Sequence, residues 1–559
     1  MDDNKILADL IFPNITKTIE DLEKEYPKRN LPEGAMVTRF APSPTGFLHS
    51  GSLYTTLLNW RLAKQSGGIF YIRLEDTDQK REVEGSGKEL LDQLKNFGIE
   101  PDEGYLGDHE EGNYGPYIQS KRSEIYDVVI KHLIEIGRAY PCFCTAEDVE
   151  DTRRKQERNK FRPGYYGRFA TCRKVSIEEA IERIKNGESY VLRFKSMGNE
   201  ENKISVVDEI KGKLELTEND LDIVIRKSDG LPTYHLAHAC DDHFMHTTHV
   251  IRGEEWLPSL PIHVELFNTL GFELPKYAHV ASVNKIDQEN GTKRKLSKRK
   301  DKEAAVSYFL EQGYPKSGFL EYLLTLINSN YEAWRDVNPD ADKYDFTVTF
   351  EKMGVDGPLF DVLKIDNICK DRLSRLNKNQ ISELALAWAN EYDTEFASLI
   401  NRDYEYFTKI MNIEREIEKP RKDYTRFSDI KNSIMFFYDD LYEDMLKNTP
   451  VLPFNENISK EDTILVLKTF LERNKMDEGE SEWFNNLKEI GSSLGFAANN
   501  KEYKANKEAY KGHIGDVAQI LRIALTTKTQ TPNLFNILEI LGKDKYEYRI
   551  NNMINIISK

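Results

Sequence analysis

The sequence predicts an α/β unit with a parallel sheet in the amino-terminal half of the chain, followed by an all-α carboxyl-terminal half. Residues 36–60, MVTRFAPSPTGFLHSGSLYTTLLNW, have the pattern of a strand, a Pro/Gly/Ser-rich turn and a helix. Residues 69–74, IFYIRL, form an apolar run typical of a buried parallel strand. Beyond residue 381, segments such as ISELALAWANEY and GDVAQILRIALTTK place apolar residues at the helical spacing of i, i+3 and i+4.

Length and charge limit the class of protein. A chain of 559 residues is too long for one hydrophobic core, so we expect several domains. The formal net charge of −16 argues against a nonspecific nucleic-acid binder, and no DNA partner is expected. Residues 153–174 and 293–300 are nevertheless locally basic, so the overall charge does not exclude an RNA partner.

Cysteine usage and hydropathy predict a cytoplasmic protein without a membrane partner. The five cysteines are an odd number in a long chain, which is not typical of a secreted disulfide framework. The first residues are acidic and amphipathic, unlike a secretory signal, and apolar runs stay shorter than a membrane span.

The turn between the first strand and the first long helix suits a phosphate group. A helix amino terminus presents unpaired N–H groups and the positive end of the helix dipole. Gly51 lets a ligand approach the backbone closely, and His49 would lie at the edge of such a pocket. A histidine at this place is also a common helix cap, so both interpretations stay open.

The apolar strand at residues 69–74 leads directly into Glu75-Asp76-Thr77-Asp78. In open α/β sheets, ligands bind outside the carboxyl ends of the strands, so this cluster could face an ammonium group, a ribose or Mg²⁺. For Asp76 and Thr77, a helix cap explains the residue types equally well. Glu75 is therefore the stronger candidate for function.

A second candidate is the basic segment Lys293–Lys300, KRKLSKRK, in which six of eight residues are basic. It follows an Asn290-Gly291 turn, which favours a mobile cationic loop. The alternative is a solvated basic patch or a patch that binds nucleic acid.

Together, these motifs resemble the two signatures of class I aminoacyl-tRNA synthetases. The HIGH motif would be His49-Ser50-Gly51-Ser52, with Ser52 in place of the second histidine, and the KMSKS motif would be Lys295-Leu296-Ser297-Lys298-Arg299. Residues 39–46, RFAPSPTG, resemble the glutamate branch of the class, the bacterial glutamyl-tRNA synthetases. Residues 229–237, DGLPTYHLA, and 249–256, HVIRGEEW, resemble further segments of that branch.

The resemblance implies an α/β Rossmann-type catalytic domain with an inserted α+β acceptor-binding domain, followed by an all-α carboxyl-terminal half. It implies an amino-terminal extension (1–34), the first catalytic half (35–140), the inserted acceptor-arm domain (141–225), the second catalytic half with the KMSKS-type loop (226–300), a stem-contact domain (301–380) and an α-helical anticodon-binding domain (381–559). It implies no role for the extension, because family members usually begin near residue 35.

The resemblance also implies an activity, the ATP-dependent ligation of L-glutamate to the 3′ end of tRNA(Glu) through a glutamyl-adenylate, with AMP and pyrophosphate as products. The implied partners are ATP, L-glutamate and tRNA(Glu), with Mg²⁺ accompanying ATP, and the implied state is a monomer. An enzyme that also charges tRNA(Gln) is the alternative for the substrate range.

Carried over residue by residue, the resemblance implies the following site. The catalytic residues are His49, Lys295 and Lys298. ATP would be bound by Gly46, His49, Gly51, Ser52, Glu255, Trp256, Leu296, Ser297 and Lys298. Glutamate would be bound by Arg39, Ala41, Ser43, Glu75, Tyr234 and Arg252.

The charges of these residues suit glutamate. Glu75 can bind the ammonium group. Arg39 and Arg252 can form ion pairs with the side-chain carboxylate, to which the Tyr234 hydroxyl can also donate a hydrogen bond. The alternative for each arginine is a structural salt bridge to a neighbouring acid.

A zinc site is also implied, because Cys142, Cys144 and Cys172 resemble the C-x-C…Y…C site of some bacterial members. No histidine follows Cys172, so the fourth ligand would be Tyr166. The alternative is three buried, reduced thiols. The spacing of a second group, five histidines, fits no metal site, so we expect them to be buried or to support other residues. They are His235, His238, His243, His246 and His249.

Other functions are alternatives to this activity. A truncated paralogue that modifies a tRNA base is excluded mainly by the length of the chain. A glutaminyl enzyme would usually show P-P-E-P-N-G at residues 41–46 and a β-barrel carboxyl-terminal half. A catalytically silent RNA-binding homologue conflicts with the intact motif residues Arg39, His49, Lys295 and Lys298. A generic α/β nucleotide-binding protein is the least specific alternative.

Overall fold

The computed structural model describes residues 3–44, 46, 48–78, 83–287, 289–297, 300–477 and 479–559. The chain forms two compact units, residues 1–308 with 320–361 and residues 309–319 with 362–559. Within the described residues, every strand belongs to the first unit.

The strands of the first unit form mixed sheets. They are β1 (Val37–Phe40), β2 (Ile69–Ile72), β3 (Glu103–Tyr105), β4 (Glu110–Glu111), β5 (Ala139–Cys142), β6 (Val191–Phe194), β7 (Lys203–Asp208), β8 (Gly212–Thr217), β9 (Val224–Arg226), β10 (His249–Gly253), β11 (Lys276–Val280), β12 (Asn284–Ile286) and β13 (Lys293–Lys295). β1, β2 and β3 run parallel with β4 antiparallel at the edge, and β10, β11 and β7 run parallel with β8 antiparallel. Thr248 N–H donates to the Val37 carbonyl at 3.0 Å, which places β10 beside β1.

The predicted buried parallel strand is confirmed as β2. Phe70, Tyr71 and Ile72 are almost completely buried, and Arg39 of β1 is in register with Tyr71. Because β1, β2 and β10 are neighbours, the residues at their carboxyl ends meet at one edge of the sheet.

The segment expected to be an insertion, residues 141–225, contributes to two sheets. β5, β6 and β9 form an antiparallel three-stranded sheet. The hairpin β7–β8 instead joins the parallel sheet, because Asp208 pairs with Tyr277 of β11.

The amino-terminal extension is part of the core of the first unit. Its helices are α1 (Asp3–Ile11) and α2 (Ile19–Glu25), and Thr18 closes a capping box with Asp21 at the start of α2. Leu7, Phe12 and Leu22 belong to the same buried cluster as the apolar residues of residues 123–135. The helical spacing predicted α1, whereas the packing of the extension came from tertiary structure.

Further helices lie between residues 50 and 337. They are α3 (Ser50–Gln65), α4 (Ser86–Asn96), α5 (Ser123–Glu135), α6 (Ala146–Arg158), α7 (Ile177–Lys185), α8 (Tyr234–Phe244), α9 (Leu260–Leu270), α10 (Val306–Glu311), α11 (Lys316–Ile327) and α12 (Tyr331–Val337). The strand and the helix predicted at residues 36–60 are confirmed by β1 and α3, whereas the turn predicted between them lies partly outside the described residues, at positions 45 and 47.

The helical prediction for the carboxyl-terminal half is confirmed. Its helices are α13 (Val362–Arg375), α14 (Lys378–Tyr392), α15 (Thr394–Arg402), α16 (Tyr404–Met411), α17 (Ser428–Ile434), α18 (Asp439–Lys447), α19 (Lys460–Arg473), α20 (Glu480–Ser493), α21 (Asn500–Ala505), α22 (Ile514–Thr526), α23 (Leu534–Leu541) and α24 (Lys543–Ser558). Ser459 accepts a hydrogen bond from Asp462 N–H at 3.0 Å and caps α19. Among the described helices, none combines the length and apolarity needed to cross a membrane.

The prediction of a loop at residues 293–300 is wrong for its first three residues. Lys293–Lys295 form β13, which pairs antiparallel with β12. The Asn290-Gly291 turn closes this hairpin, and Asp287 N–H donates to the Thr292 carbonyl at 2.9 Å. A hairpin satisfies the backbone groups that an open loop would leave to water.

Candidate active site

A cleft of about 410 Å³ opens at the carboxyl ends of β1 and β10. All six residues predicted to bind glutamate line it, namely Arg39, Ala41, Ser43, Glu75, Tyr234 and Arg252. Of the residues predicted to bind ATP or act in catalysis, those that line it are Gly46, His49, Gly51, Ser52, Glu255, Trp256, Lys295 and Leu296. Ser297 is not among the lining residues, and the predicted Lys298 lies outside the described residues.

His49 both caps α3 and lines the cleft. Its Nδ1 accepts a hydrogen bond from Gly51 N–H at 2.9 Å, so a neutral ring carries its proton on Nε2. A Cβ atom at position 51 would lie only 3.1 Å from this Nδ1, which explains why a glycine follows the cap. The two interpretations of His49 are compatible, since each uses a different ring nitrogen.

A buried chain of charged groups connects Glu75 to Arg39. Arg73 donates to Glu75 Oε1 at 3.0 Å and to Asp242 Oδ1 at 2.9 Å. Asp242 also accepts from Nε and Nη2 of Arg39 at 3.0 and 3.2 Å. Arg39 therefore makes the structural salt bridge considered as its alternative role while it lines the cleft.

The pKa values of the two carboxyl groups shift in opposite directions. Burial raises the pKa of Glu75, although Arg73 and Arg39 act against that effect. Burial would also raise the pKa of Asp242, but its contacts with Arg39 and Arg73 hold that pKa well below its ordinary value. Asp242 is thus a fixed negative charge beneath the cleft.

Arg252 has a different environment. It donates through Nε to His279 at 3.1 Å, through Nη2 to His263 at 3.2 Å, and through Nη1 to the Tyr234 hydroxyl at 3.2 Å. The Tyr234 ring packs against Trp256 with ring centroids 4.2 Å apart. The head group of Arg252 is held by three uncharged acceptors at the wall of the cleft.

The hairpin β12–β13 brings basic residues to the opposite rim. Arg294 donates to both carboxylate oxygens of Asp301, at 2.7 and 2.8 Å. The same carboxylate accepts from Ser297 N–H at 2.9 Å, so it holds both Arg294 and the backbone of Ser297. Lys295 is exposed, with Nζ 3.9 Å from the Glu255 carboxylate.

Sequence reasoning missed the residues that support this site. Asp242, His263 and His279 are fully or almost fully buried and touch the two arginines. Arg39 and Asp242 are more than 200 residues apart in the sequence, and no local pattern encodes a contact over such a separation.

The predicted metal site is partly rearranged. The sulfur atoms of three cysteines lie within 4.8 Å of one another, and these form the thiol trio: Cys142, Cys144 and Cys172. The hydroxyl at the trio belongs to Tyr165, which lies 3.4 Å from two of the sulfurs, and not to the predicted Tyr166. Tyr166 instead donates to the Arg162 carbonyl at 2.7 Å and packs on Phe169.

Hydrogen bonding polarises the thiol trio. The Cys142 thiol donates to the Tyr165 hydroxyl at 3.4 Å. The neighbouring Cys142 lowers the pKa of the Cys172 thiol, whereas Cys172 and burial raise the pKa of Cys142. A thiolate at Cys172 is the form that a metal ion binds. The donor set therefore fits a soft divalent cation.

The predicted supporting roles of the histidine group agree with the structure. His238 is completely buried, with Nδ1 2.6 Å from Asp242 and Nε2 2.9 Å from the Tyr277 hydroxyl. His243 contacts Glu23 at 2.6 Å. In the part of the chain that the structure describes, the thiol trio is the one cluster with metal-ligand spacing.

Comparisons with known proteins agree with the site. Residues 35–336 match the family model "tRNA synthetases class I (E and Q), catalytic domain", and residues 380–554 match "Anticodon binding domain". A glutamate–tRNA ligase of Clostridium beijerinckii is 48% identical over 552 residues, covering 98% of this chain and 99% of the relative. One of Acetivibrio thermocellus is 45% identical over 553 residues, covering 99% of this chain and 100% of the relative.

A solved structure is similar as well. The crystal structure of a glutamate tRNA ligase from Elizabethkingia meningosepticum in complex with its amino acid is 26% identical, with a TM-score of 0.74, and the match covers 93% of this chain and 99% of that one. The sequence motifs, the cleft and these comparisons agree, and the chain belongs to the class I tRNA synthetases of the glutamate and glutamine (E and Q) family.

Proposed function

We propose that the chain ligates L-glutamate to the 3′ end of tRNA(Glu). ATP and glutamate first react to glutamyl-adenylate and pyrophosphate, and the acyl group then passes to the tRNA with release of AMP. The observation that carries this proposal is that three features line a single cleft. These features are the Glu75 carboxylate, the Arg252 side chain with its neutral partners, and the helix amino terminus at His49. Near full-length similarity to glutamate–tRNA ligases supports it.

The cleft has one group for each charge of glutamate. The Glu75 carboxylate binds the ammonium group, and Arg252 with the Tyr234 hydroxyl binds the side-chain carboxylate. The α-carboxylate is then left to attack the α-phosphorus of ATP. Holding both reactants in this orientation supplies much of the rate enhancement, because the step becomes effectively unimolecular.

The ATP side of the cleft provides positive charge and donors. The amino terminus of α3 and the Nε2–H of His49 face phosphate oxygens, and Lys295 supplies charge from the hairpin. Lys298 is proposed to act with Lys295. When ATP binds, Mg²⁺ comes with it and neutralises charge on the phosphates.

Pyrophosphate exchange tests the proposal. We expect ATP/pyrophosphate exchange with glutamate in the presence of tRNA(Glu), little exchange with glutamine, and a collapse of exchange in Lys298→Ala. Retained tRNA binding without exchange under every condition would instead identify a catalytically silent homologue. Charging of tRNA(Gln) in the same assay would show the wider substrate range.

Different segments of the chain are proposed to bind different parts of the tRNA. Residues 141–225 would bind the acceptor end, residues 301–380 the stem, and the helices beyond residue 380 the anticodon, with the protein acting as a monomer. Exposed basic residues on and after α6 support the first assignment, since Arg158, Lys160 and Arg168 all face solvent. Replacing all three by glutamine should raise KM for tRNA and leave KM for glutamate unchanged in steady-state charging.

A structural zinc ion is proposed at the thiol trio, with the Tyr165 oxygen completing four ligands. Tyr165→Phe and Tyr166→Phe form a matched pair of neighbouring changes. Metal analysis should find about one zinc per wild-type chain, a lower zinc affinity in Tyr165→Phe, and unchanged affinity in Tyr166→Phe. Zinc-free wild-type protein after growth with zinc would contradict the assignment.

A further inference from the structure

Building on the proposed function, we infer that His263 and His279 determine the preference for an anionic amino acid, because as neutral acceptors they orient Arg252 without balancing its charge. These histidines are specificity-determining residues that act through Arg252.

The arginines beneath the cleft divide into two kinds. Arg39 and Arg73 both pair with Asp242, and Arg122 pairs with Asp241 at 2.6 Å. Arg252 has no carboxylate within 4.0 Å among the described residues, although its side chain is almost fully buried. Within the described part of the chain, no carboxylate directly balances its positive charge at the cleft wall.

Hydrogen-bond directions fix the protonation of both histidines. A guanidinium group only donates, so His279 Nε2 and His263 Nδ1 must accept from Arg252. The opposite nitrogens then carry the protons: His279 Nδ1–H donates to Asp208 at 2.7 Å, and His263 Nε2–H donates to His235 Nδ1 at 3.0 Å. Burial lowers the pKa of both rings, that of His263 strongly, which keeps them neutral.

The consequence is selectivity by charge. A carboxylate entering the cleft supplies the counter-ion that Arg252 lacks, whereas an amide leaves the charge unbalanced in a partly dry site. Tyr234 strengthens the effect, because its oxygen accepts from Arg252 and its own proton remains available to an acceptor on the ligand. Arg39 contributes less selectivity, since Asp242 already balances its charge.

The test compares His263→Glu with His263→Gln, two side chains of equal shape that differ in charge. The glutamine can accept from Arg252 through Oε1 and donate to His235 through its amide, so Arg252 stays oriented and unbalanced. The glutamate balances Arg252 from within the protein. Both variants are compared with wild type by kcat/KM for glutamate and glutamine, together with melting temperature and tRNA affinity.

We expect His263→Glu to lower the ratio of kcat/KM for glutamate over glutamine by about 10- to 100-fold, the scale of one hydrogen bond to a charged group. His263→Gln should keep the ratio within about threefold of wild type, because a neutral acceptor is sufficient. The inference is overturned if a folded His263→Glu protein keeps the wild-type ratio of kcat/KM for glutamate over glutamine. It is also overturned if His263→Gln loses that ratio.

Folding failure does not remove the test. If His263→Glu loses its thermal transition, the variants His263→Gln and His279→Gln test the sufficiency of a neutral acceptor by themselves, and loss of the ratio in both overturns the inference. Glutamate at position 279 is not used, because it would place a second carboxylate beside Asp208. Wild-type protein that fails to charge glutamate would refute the proposed function, whereas charging with an unchanged ratio in His263→Glu refutes only this inference.

Discussion

His49 shows how one side chain can serve structure and chemistry together. Its Nδ1 caps α3 through Gly51, which leaves the proton on Nε2 at the cleft. Substitutions that separate these two tasks can be chosen, because asparagine is a good helix cap but cannot place a ring nitrogen in the cleft.

We predict that His49→Ala and His49→Asn both reduce kcat for adenylate formation by about 100- to 1000-fold, the scale of one preorganised donor. Only His49→Ala should also lose stability, by about 1 kcal/mol, because the cap is gone. Pyrophosphate exchange and thermal unfolding of both variants measure the two effects. Near wild-type exchange in His49→Asn would mean that the residue is a cap and nothing more.

The hairpin β12–β13 shows how ion pairs position a secondary-structure element. Its second strand is wholly basic, and one acid, Asp301, binds both Arg294 and the backbone at Ser297. These contacts hold the pKa of Asp301 well below its ordinary value, with the Arg294 hydrogen bond as the largest cause. The carboxylate is therefore charged throughout the neutral range.

We predict that Asp301→Asn loosens the hairpin and lowers kcat for adenylate formation by about 10- to 100-fold, because Lys295 and its neighbours lose their orientation. The KM for glutamate should change little, since the glutamate-binding residues lie on other elements. Asp287→Asn is a suitable control, because it removes a single contact to Arg294 at 2.8 Å and leaves the Ser297 contact intact. An equal loss of kcat in both variants would contradict the special role of Asp301.

On the scale of the whole molecule, the first unit keeps an unusual group of histidines neutral. Burial lowers the pKa of each of these rings and is the largest cause in every case. The pKa falls to about 4 for His235 and His249 and to about 3 for His238. It also lies below the ordinary value for His243, His263 and His279. In the unfolded chain these rings bind protons near pH 6.5. Below that pH the unfolded state therefore binds more protons than the folded state.

We predict that the free energy of unfolding of the first unit falls as pH drops from 6.5 towards about 4. Each neutral histidine contributes a slope of up to about 1.4 kcal/mol per pH unit in this range, and its contribution is complete above pH 6.5. Urea unfolding at a series of pH values measures the slope. The second unit contains none of these six histidines, so the free energy of its unfolding should depend less on pH in this range. A stronger pH dependence in the second unit than in the first would refute the prediction.

The sequence by itself determined the class of each half, the position of β1, β2 and α3, and about half of the residues that line the cleft. Periodicity, turn residues and short motifs are local signals, and they record what each segment must bury or expose. The resemblance carried over all six proposed glutamate-binding residues, and each of them lines one cleft.

Only the tertiary structure decided how those residues are held. It paired Arg39 with Asp242 and Arg252 with neutral histidines, exchanged Tyr166 for Tyr165 at the thiols, and built the amino-terminal extension into the core. Charge balance and orientation depend on groups brought together from distant parts of the chain, and local sequence patterns do not specify such contacts. Two arginines that look equivalent in the sequence therefore have different electrostatic roles in the fold.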